Sequence, residues 1–232
     1  MSACWGVIPA AGIGSRMAAE VPKQYLELAG ATVIEHSLRA LLDCPRIQGV
    51  VVALHPQDER AAQLPLFSDK RVRTVEGGAE RSDSVLAGLR ALEEVAAPGD
   101  WVLVHDAARP CLARTDIDRL IDTVTASGVG GILAEPVVDT VKRADPQRRV
   151  QQTLDRSVLW RAQTPQMFPL RALASALGSA QQENLAVTDE ASAMEMAGQP
   201  VQLVEGPRDN LKITVPQDLA LAGWYLQHHR QD

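Results

Sequence analysis

The chain has 232 residues, of which 46% are hydrophobic and only 3% aromatic, and its formal net charge is −6. This length and apolar content predict one main domain with an appendage, built around Ala, Val, Leu and Ile as in layered α/β proteins. The acidic balance provides no global field for nucleic acid or an anionic membrane, so we expect neither as a partner.

Strand-like and helix-like segments alternate through the first half of the chain. Short runs rich in Val, Leu and Ile predict strands at residues 7–8, 49–54, 72–75 and 101–104. Residues 33–42 and 81–95 carry apolar side chains at three- and four-residue intervals, which predicts two helices. Such alternation is typical of a mostly parallel sheet that is covered on both faces.

The character of the sequence changes after the apolar segment 130–134. Residues 137–143 and 148–154 mix polar residues with β-formers on either side of a turn, so we predict a β-hairpin. Its low apolar content indicates that the hairpin projects from the main core as an arm.

Regular structure is predicted again in the last third of the chain. Thr188, followed by two acidic residues, is a favourable N-cap for a helix. The predicted elements are helices at 170–177 and 189–197, strands at 201–204 and 211–214, and a final helix that begins at Pro216.

These elements predict an α/β fold: a mostly parallel, twisted, Rossmann-like sheet covered by helices on both faces, with a projecting β-hairpin arm. The main domain takes residues 1–136 and 155–232, and the arm takes residues 137–154. Because an isolated arm exposes its strand edges, we expect two arms to pair in a homodimer.

The first strand runs into a loop of small residues, Pro9 to Met17, whose backbone amides can approach phosphate oxygens closely. The loop lacks the Gly-Lys-Ser/Thr ending of a P-loop. It also lacks the third glycine of a dinucleotide-binding Rossmann loop, and Glu35 lies in a helical pattern, not at a strand end. Two cations, Arg16 and Lys23, follow the amides, as a triphosphate site requires.

Asp106 follows a predicted central strand, where open α/β sheets bind ligands. A strand-end carboxylate there suits Mg²⁺ or a substrate hydroxyl, and Asp209 is a second candidate metal ligand. The alternative interpretation is that Asp106 caps the turn and pairs with Arg109. The histidines show no metal or triad spacing, His105 is interpreted as structural, and Ser84 has no evident His or Asp partner, so hydrolase chemistry is disfavoured.

The ordered set of motifs resembles the 2-C-methyl-D-erythritol 4-phosphate cytidylyltransferase family along essentially the whole chain. The first block alone is shared with sugar-nucleotide pyrophosphorylases, whereas the full order is specific. One departure is Ala79, where some members place an acid. The blocks are residues 9–17, Pro22-Lys23-Gln24-Tyr25-Leu26, Gly77-Gly78 with Arg81 and Ser84, 104–110, Thr164-Pro165-Gln166, Thr188-Asp189-Glu190-Ala191 and Asn210-Leu211-Lys212-Ile213-Thr214.

The resemblance implies a nucleotidyltransferase fold and the joining of CTP to a small polyol phosphate with Mg²⁺. Arg16 and Lys23 would stabilise the α-phosphate and the leaving group. The implied nucleotide contacts are Pro9, Ala10, Ala11, Gly12, Gly14, Gly78, Ser84 and Asp106. The implied acceptor contacts are Asp106, Arg109, Thr140, Arg156, Thr164, Thr188 and Lys212. Thr140 and Arg156 would act in the neighbouring subunit of a homodimer.

Three other functions stay open at this point. A cytidylyltransferase for another polyol phosphate, such as ribitol 5-phosphate, would share the nucleotide half. A dinucleotide-dependent oxidoreductase conflicts with the glycine spacing, and a non-catalytic nucleotide-binding regulator conflicts with the presence of both Arg16 and Lys23.

The cysteines and the lengths of the apolar runs indicate where in the cell the protein is expected. Cys4, Cys44 and Cys111 are far apart and lack CxxC spacing, so we expect reduced structural thiols. No stretch approaches the roughly 20 apolar residues of a membrane span, and no export signal is apparent at the N-terminus. We therefore expect a cytoplasmic protein.

Overall fold

The computed structural model describes residues 2–12 and 21–228. Its strands are β1 Cys4–Ala10, β2 Glu27–Leu28, β3 Ala31–Thr32, β4 Ile47–Leu54, β5 Val72–Glu76, β6 Trp101–Val104, β7 Gly131–Pro136, β8 Lys142–Ala144, β9 Val150–Thr153, β10 Trp160–Pro169 and β11 Gln202–Glu205. Its α-helices are α1 Val33–Leu42, α2 Arg81–Glu93, α3 Arg114–Ser127, α4 Leu170–Gln182, α5 Glu190–Met196 and α6 Pro216–His228. Single 3-10 turns include Lys23–Tyr25 and Arg156–Val158.

Seven strands form the main sheet in the order β11-β7-β10-β6-β1-β4-β5. All neighbouring pairs are parallel except the two that involve β10, which runs antiparallel to both β6 and β7. The predicted mostly parallel α/β sheet is therefore confirmed. Since β4 and β6 both run parallel to β1, the carboxyl ends of the three strands meet at one edge. Asp106 follows β6 there, and residues 11–12 begin the loop of small residues, which we call the glycine loop.

Helices cover both faces of the sheet and enclose a core on each side. On one face, α1 and α3 supply fully buried side chains such as Leu38 and Ile117. On the other face, α2, α4 and α5 supply Leu89, Leu173 and Met194. Helix α1 begins where predicted because Thr32 and Glu35 form a capping box, in which each side chain accepts from the other's backbone N–H.

The arm forms a separate two-stranded sheet of β8 and β9, as the hairpin pattern predicts, although the strands are shorter than the predicted segments. Most of its residues are exposed. Beside and within it, Val138, Val150 and Val158 are 46%, 64% and 72% exposed, which is unusual for large aliphatic side chains. The division of the chain into main domain and arm stays a prediction.

Two predicted details are wrong. Residues 211–214 form no strand; the amide of Ile213 instead donates to the carbonyl of Ala108 at 2.8 Å. The N-cap of α5 is Asp189, not Thr188: the Asp189 side chain accepts from the N–H of Ser192, while Thr188 donates its own N–H to the Ser192 hydroxyl.

Helix α3 and strand β10 had no counterpart among the predicted elements. Along residues 2–12 and 21–228, no helix has both the length and the apolar character needed to cross a bilayer.

Candidate active site

A cavity of about 460 Å³ opens where β1 and β6 end. The segments around it are residues 9–12 at the start of the glycine loop, the turn that begins at Lys23, the start of α2 and the loop before α6. Its lining comprises Pro9, Ala10, Ala11, Gly12, Lys23, Gln24, Gly78, Ala79, Glu80, Arg81, Ser84, Asp106, Ala107, Ala108, Lys212 and Thr214. We call this space the larger cavity.

A second cavity of about 210 Å³ adjoins it and shares Arg81, Asp106 and Lys212 with it. We call it the smaller cavity. Its other lining residues are Arg109, Ala162, Gln163, Thr164, Gln166, Thr188 and Asp189, which come mainly from β10 and the start of α5. Two binding spaces therefore meet at a group of three charged side chains.

Asp106 is the centre of this group and is almost completely buried. Its Oδ1 lies 2.9 Å from Nε of Arg81, and its Oδ2 lies 2.8 Å from Nζ of Lys212 and 3.8 Å from Nε of Arg109. Burial alone would raise the pKa of Asp106, but the charges of Arg81, Lys212 and Arg109 outweigh burial and hold that pKa far below its usual range. The carboxylate is therefore ionised, with more cations than it can neutralise.

Glu190, the first residue of α5, is buried and holds Arg81 from the opposite side. Its two carboxylate oxygens accept from Nη1 and Nη2 of Arg81 at 2.6 and 3.0 Å. Burial lowers the pKa of Arg81, yet the Glu190 and Asp106 carboxylates outweigh it and raise that pKa above its ordinary value. Arg81 is consequently a fixed cation, held by two carboxylates through all three of its guanidinium nitrogens.

His105 lies beneath Asp106 and is completely buried. Its Nε2 donates to the carbonyl of Arg109 at 3.0 Å, so in the neutral ring Nδ1 accepts from the Thr164 hydroxyl at 2.9 Å. The Thr164 Oγ1 in turn accepts from the Asp106 N–H at 3.0 Å. Burial lowers the pKa of His105 to about 4, and the ring is neutral at pH 7. This agrees with its interpretation as a structural residue.

The base of the glycine loop is braced by Gln24, whose buried Nε2 donates to the carbonyls of Ala10 and Gly12 at 3.0 and 3.1 Å. Next to it, Nζ of Lys23 donates to the carbonyl of Ile213 at 2.9 Å and lines the larger cavity. The lysine is thereby held between the glycine loop and the segment that carries Lys212.

The wall opposite the loop is formed by Gly77, Gly78 and Ser84. The Ser84 hydroxyl accepts from the Gly78 N–H and donates to the Glu80 carbonyl, both at 3.2 Å. A Cβ at Gly77 would lie 2.5 Å from Cβ of Ala11 and 2.7 Å from the Ser84 hydroxyl. Glycine is needed there because the two walls approach each other so closely.

Most of the residues proposed from the sequence meet at these two cavities. The larger one receives Pro9, Ala10, Ala11, Gly12, Lys23, Gly78 and Ser84, the smaller one Arg109, Thr164 and Thr188, and both receive Asp106 and Lys212. Gly14 and Arg16 lie outside the described residues. Thr140 and Arg156 are exposed at the arm and line neither cavity, and the Arg156 guanidinium donates to the carbonyl of Val138.

Asp209 lines neither of these two cavities. It lines a separate cavity with His36, Cys111 and Tyr225. Both Asp106 oxygens already face cations, and no group of three or more His, Cys, Asp or Glu side chains in the described part of the chain is arranged to hold a metal. The residues present therefore do not fit the predicted Asp106–Asp209 magnesium site.

Three residues that complete the site were given no role in the sequence-based assignment: Arg81, Glu190 and Gln24. All three stand inside the motif blocks quoted above. What the sequence did not indicate is that Arg81 and Glu190, 109 residues apart, would face each other. For Gln24 the available signals were its place in a motif block and its position next to Lys23.

Comparison with known proteins gives a single result. A sequence model of 2-C-methyl-D-erythritol 4-phosphate cytidylyltransferase matches residues 4–228. The protein of that name from Ectopseudomonas mendocina is 57% identical over 229 residues, which are 98% of this chain and 97% of the relative. The one from Pseudomonas savastanoi pv. phaseolicola is 54% identical over 220 residues, 94% of this chain and 93% of the relative.

Solved structures agree. The crystal structure of the Francisella tularensis protein of that name has a TM-score of 0.83 at 37% identity and covers 97% of this chain and 100% of its own. The Thermus thermophilus structure has a TM-score of 0.80 at 33% identity and covers 98% of this chain and 100% of its own.

Proposed function

The chain belongs to the 2-C-methyl-D-erythritol 4-phosphate cytidylyltransferase family, and we infer that it transfers the CMP group from CTP to 2-C-methyl-D-erythritol 4-phosphate. The products are 4-diphosphocytidyl-2-C-methyl-D-erythritol and pyrophosphate, in non-mevalonate isoprenoid biosynthesis. The observation in this structure that supports the reaction best is the pair of cavities that meet at Arg81, Asp106 and Lys212.

The reaction joins two phosphates, and the site is suited to both. An oxygen of the acceptor phosphate attacks the α-phosphorus of CTP, the bond from that phosphorus to the bridging oxygen breaks, and pyrophosphate leaves with the electron pair. The larger cavity would hold CTP against the glycine loop, and the smaller cavity would hold the acceptor. The two substrates then meet beside Lys212 and Arg81, where positive charge exceeds negative charge.

No general base is needed, because a phosphate monoester is already an anion near neutral pH. Catalysis can therefore depend on positioning and on neutralising charge at phosphorus. We assign Lys23 to the α-phosphate and the leaving group, because its ammonium group lines the larger cavity beside the glycine loop. Arg16 is proposed for the same task from its sequence position.

The acceptor phosphate is proposed to bind Lys212 and Arg109, with Thr164 and Thr188 at the erythritol hydroxyls. All four residues line the smaller cavity. We further propose that Arg156 and Thr140 complete this site from a second copy of the chain in a homodimer. Support comes from the exposed aliphatic side chains of the arm and from the unpaired edges of its two-stranded sheet.

Mg²⁺ is proposed as a partner of CTP, and no protein ligands and no reaction step are assigned to it. A small hard cation of this kind binds triphosphate oxygens and keeps several waters. A cytoplasmic location is also proposed. Its support is that Cys4, Cys44 and Cys111 are all free thiols, which is usual in a reducing compartment.

Pyrophosphate release tests the function directly. The purified chain would be incubated with CTP and one acceptor at a time: 2-C-methyl-D-erythritol 4-phosphate, ribitol 5-phosphate or erythritol 4-phosphate. We expect release with the first, strongly reduced release with the others, and none when ATP replaces CTP. If the methylerythritol phosphate released no pyrophosphate, the proposed function would be wrong; preferential use of ribitol 5-phosphate would reassign the acceptor.

A further inference from the structure

Asn210 is a completely buried amide at the back of the smaller cavity, and it does not line either cavity. Its Nδ2 donates to the carbonyl of Thr164 at 2.8 Å and, more weakly, to Oε1 of Gln163 at 3.4 Å. Its backbone carbonyl accepts from Nη1 of Arg109 at 2.6 Å. One residue thus contacts two of the residues assigned to the acceptor and lies two positions before a third, Lys212.

The segment that carries Lys212 has no sheet or helix to hold it, since residues 206–215 form neither. Its backbone is fixed by a few individual bonds instead. Asn210 attaches it to β10 on one side, and on the other side the Ile213 amide donates to the carbonyl of Ala108 at 2.8 Å. Two further attachments come from Gln163, whose Nε2 donates to the carbonyl of Pro207 at 2.8 Å, and from Lys23, whose Nζ donates to the carbonyl of Ile213 at 2.9 Å.

We propose that Asn210 is the positioning residue of the acceptor site, which fixes Thr164, Arg109 and Lys212 relative to one another before substrate arrives. This deepens the proposed function and rests on it. Asn210 acts through these three groups and touches no substrate.

The effect of losing this amide follows from its burial. Without Nδ2, the Thr164 carbonyl is left buried without that donor, which a folded chain relieves by moving the segment or β10. Either movement changes the distance between Lys212 and Thr164. The nucleotide contacts at Ala10, Gly12 and Ser84 are attached elsewhere and are not moved directly. Lys23 does contact the segment, but at Ile213, which keeps its own hydrogen bond to the carbonyl of Ala108.

The test compares two variants with wild type. Asn210→Ala removes the donor, and Asn210→Asp keeps the shape but places a carboxylate oxygen beside the Thr164 carbonyl. We expect the KM for 2-C-methyl-D-erythritol 4-phosphate to rise roughly tenfold or more in both, with the KM for CTP within about twofold of wild type, as one lost buried hydrogen bond implies.

The matched control is Asp100→Asn, which weakens the hydrogen bonds of another buried polar side chain that lines neither cavity. Asp100 accepts from the N–H groups of Ala3, Ala97 and the Trp5 indole. A purely structural loss lowers the amount of active enzyme, and therefore kcat, without separating the two KM values. Equal changes of both KM values in the Asn210 variants, or a control that raises the acceptor KM alone, would overturn the proposal.

Hydrogen exchange on the wild-type enzyme tests the same inference if the variants fail to fold. We expect the amide of Ile213 to exchange slowly in the enzyme without substrates, since the segment is held in advance. Fast exchange that becomes slow only when the acceptor is added would overturn the proposal. Inactive wild-type enzyme, in contrast, would refute the proposed function. The exchange rate of the Ile213 amide in that same enzyme would still show whether the segment is held in advance.

Discussion

Arg81 and Glu190 form a two-point ion pair that joins the first turn of α2 to the first turn of α5. The pair is what keeps the Arg81 guanidinium against Asp106, where its Nε is the donor. Because 109 residues separate the two side chains, the contact depends on the packing of the two helices and not on closeness in the sequence.

Replacing Glu190 by Gln should therefore lower both the free energy of unfolding and the activity. Breaking one side of a buried ion pair typically costs about 3 kcal/mol or more of unfolding free energy. We expect kcat/KM to fall as well, because Arg81 loses the anchor that aims it at Asp106. Urea unfolding and steady-state kinetics measure the two effects. The control is Glu94→Gln, which opens the exposed pair with Arg73 and should change little; equal stability of the two variants would contradict this role.

Lys23→Ala should lower kcat by roughly 10²-fold or more, with a smaller effect on the KM for CTP, on the scale of a lost transition-state donor. Arg16→Ala is expected to behave in the same way. Lys70→Ala, at an exposed position away from both cavities, is the matched loss of one positive charge. Near-normal turnover of Lys23→Ala would show that the lysine has no catalytic role.

The arm should control assembly. Deleting residues 139–153 and closing the gap with a short glycine linker should convert a homodimer into a monomer, because the deletion removes both strands of the arm, with their unpaired edges, and the exposed Val150. Light scattering measures the mass of both forms. A deletion variant that keeps the dimer mass, or a wild-type chain that is monomeric, would place the interface elsewhere or remove it.

Arg156 should act on the acceptor from across that dimer. Arg156→Lys should raise the KM for the acceptor but not for CTP, because a lysine cannot reproduce the paired bonds of a guanidinium to phosphate. Mixing Arg156→Ala chains with Lys23→Ala chains should recover part of the lost activity, since one hybrid site then holds both wild-type residues. If subunits exchange and no activity returns, Arg156 does not act across subunits.

His105 should make stability depend on pH. Its pKa is lowered from 6.5 to about 4 by burial, so between these values the unfolded chain binds a proton that the folded chain does not. The contribution of neutral His105 to the free energy of unfolding is complete above about pH 6.5. It is lost as the pH falls towards 4, by about 3 kcal/mol in total. Urea unfolding between pH 4.5 and 7.5 measures the slope. His105→Gln should flatten it and the exposed His228→Gln should not; the opposite result would assign the slope to another group.

The parts of the fold that were predictable are those where local pattern and tertiary environment agree. Helix α1 and strand β4 have strong periodicity and buried faces, and both were predicted within two residues of their bounds. Helix α3 also has the signal, since Ile117, Leu120, Ile121 and Val124 follow the three- and four-residue spacing, although no helix is predicted there. Strand β10 contains Pro165, Pro169 and two glutamines, so its central place is decided by burial between β6 and β7 and not by propensity.

The residues of the candidate site also fall into those that the sequence could locate and those that it could not. Lys23, Asp106 and Lys212 could be located from motif blocks and from the strand-end rule, because each depends on its own short segment. The ion pair of Arg81 with Glu190 and the amide contacts of Asn210 could not, because they depend on how separate segments meet. Residues 211–214 illustrate the limit: their composition is that of a strand, but the Ile213 amide finds Ala108 outside any ladder.

The hydrogen bond from Lys23 to the Ile213 carbonyl connects residues 190 positions apart, so the reaction centre is assembled from both ends of the chain. During synthesis, the glycine loop and Lys23 emerge first, and Lys212 follows only when nearly the whole polypeptide has been made. A ribosome-bound fragment that stops before β11 therefore contains most of the residues of the larger cavity but lacks Lys212, which lines both cavities. At elongation rates of about 5–20 residues per second, roughly 5–20 s pass between the synthesis of Ala108, the last of the early residues that line the larger cavity, and that of Lys212, and no transfer is possible during that interval.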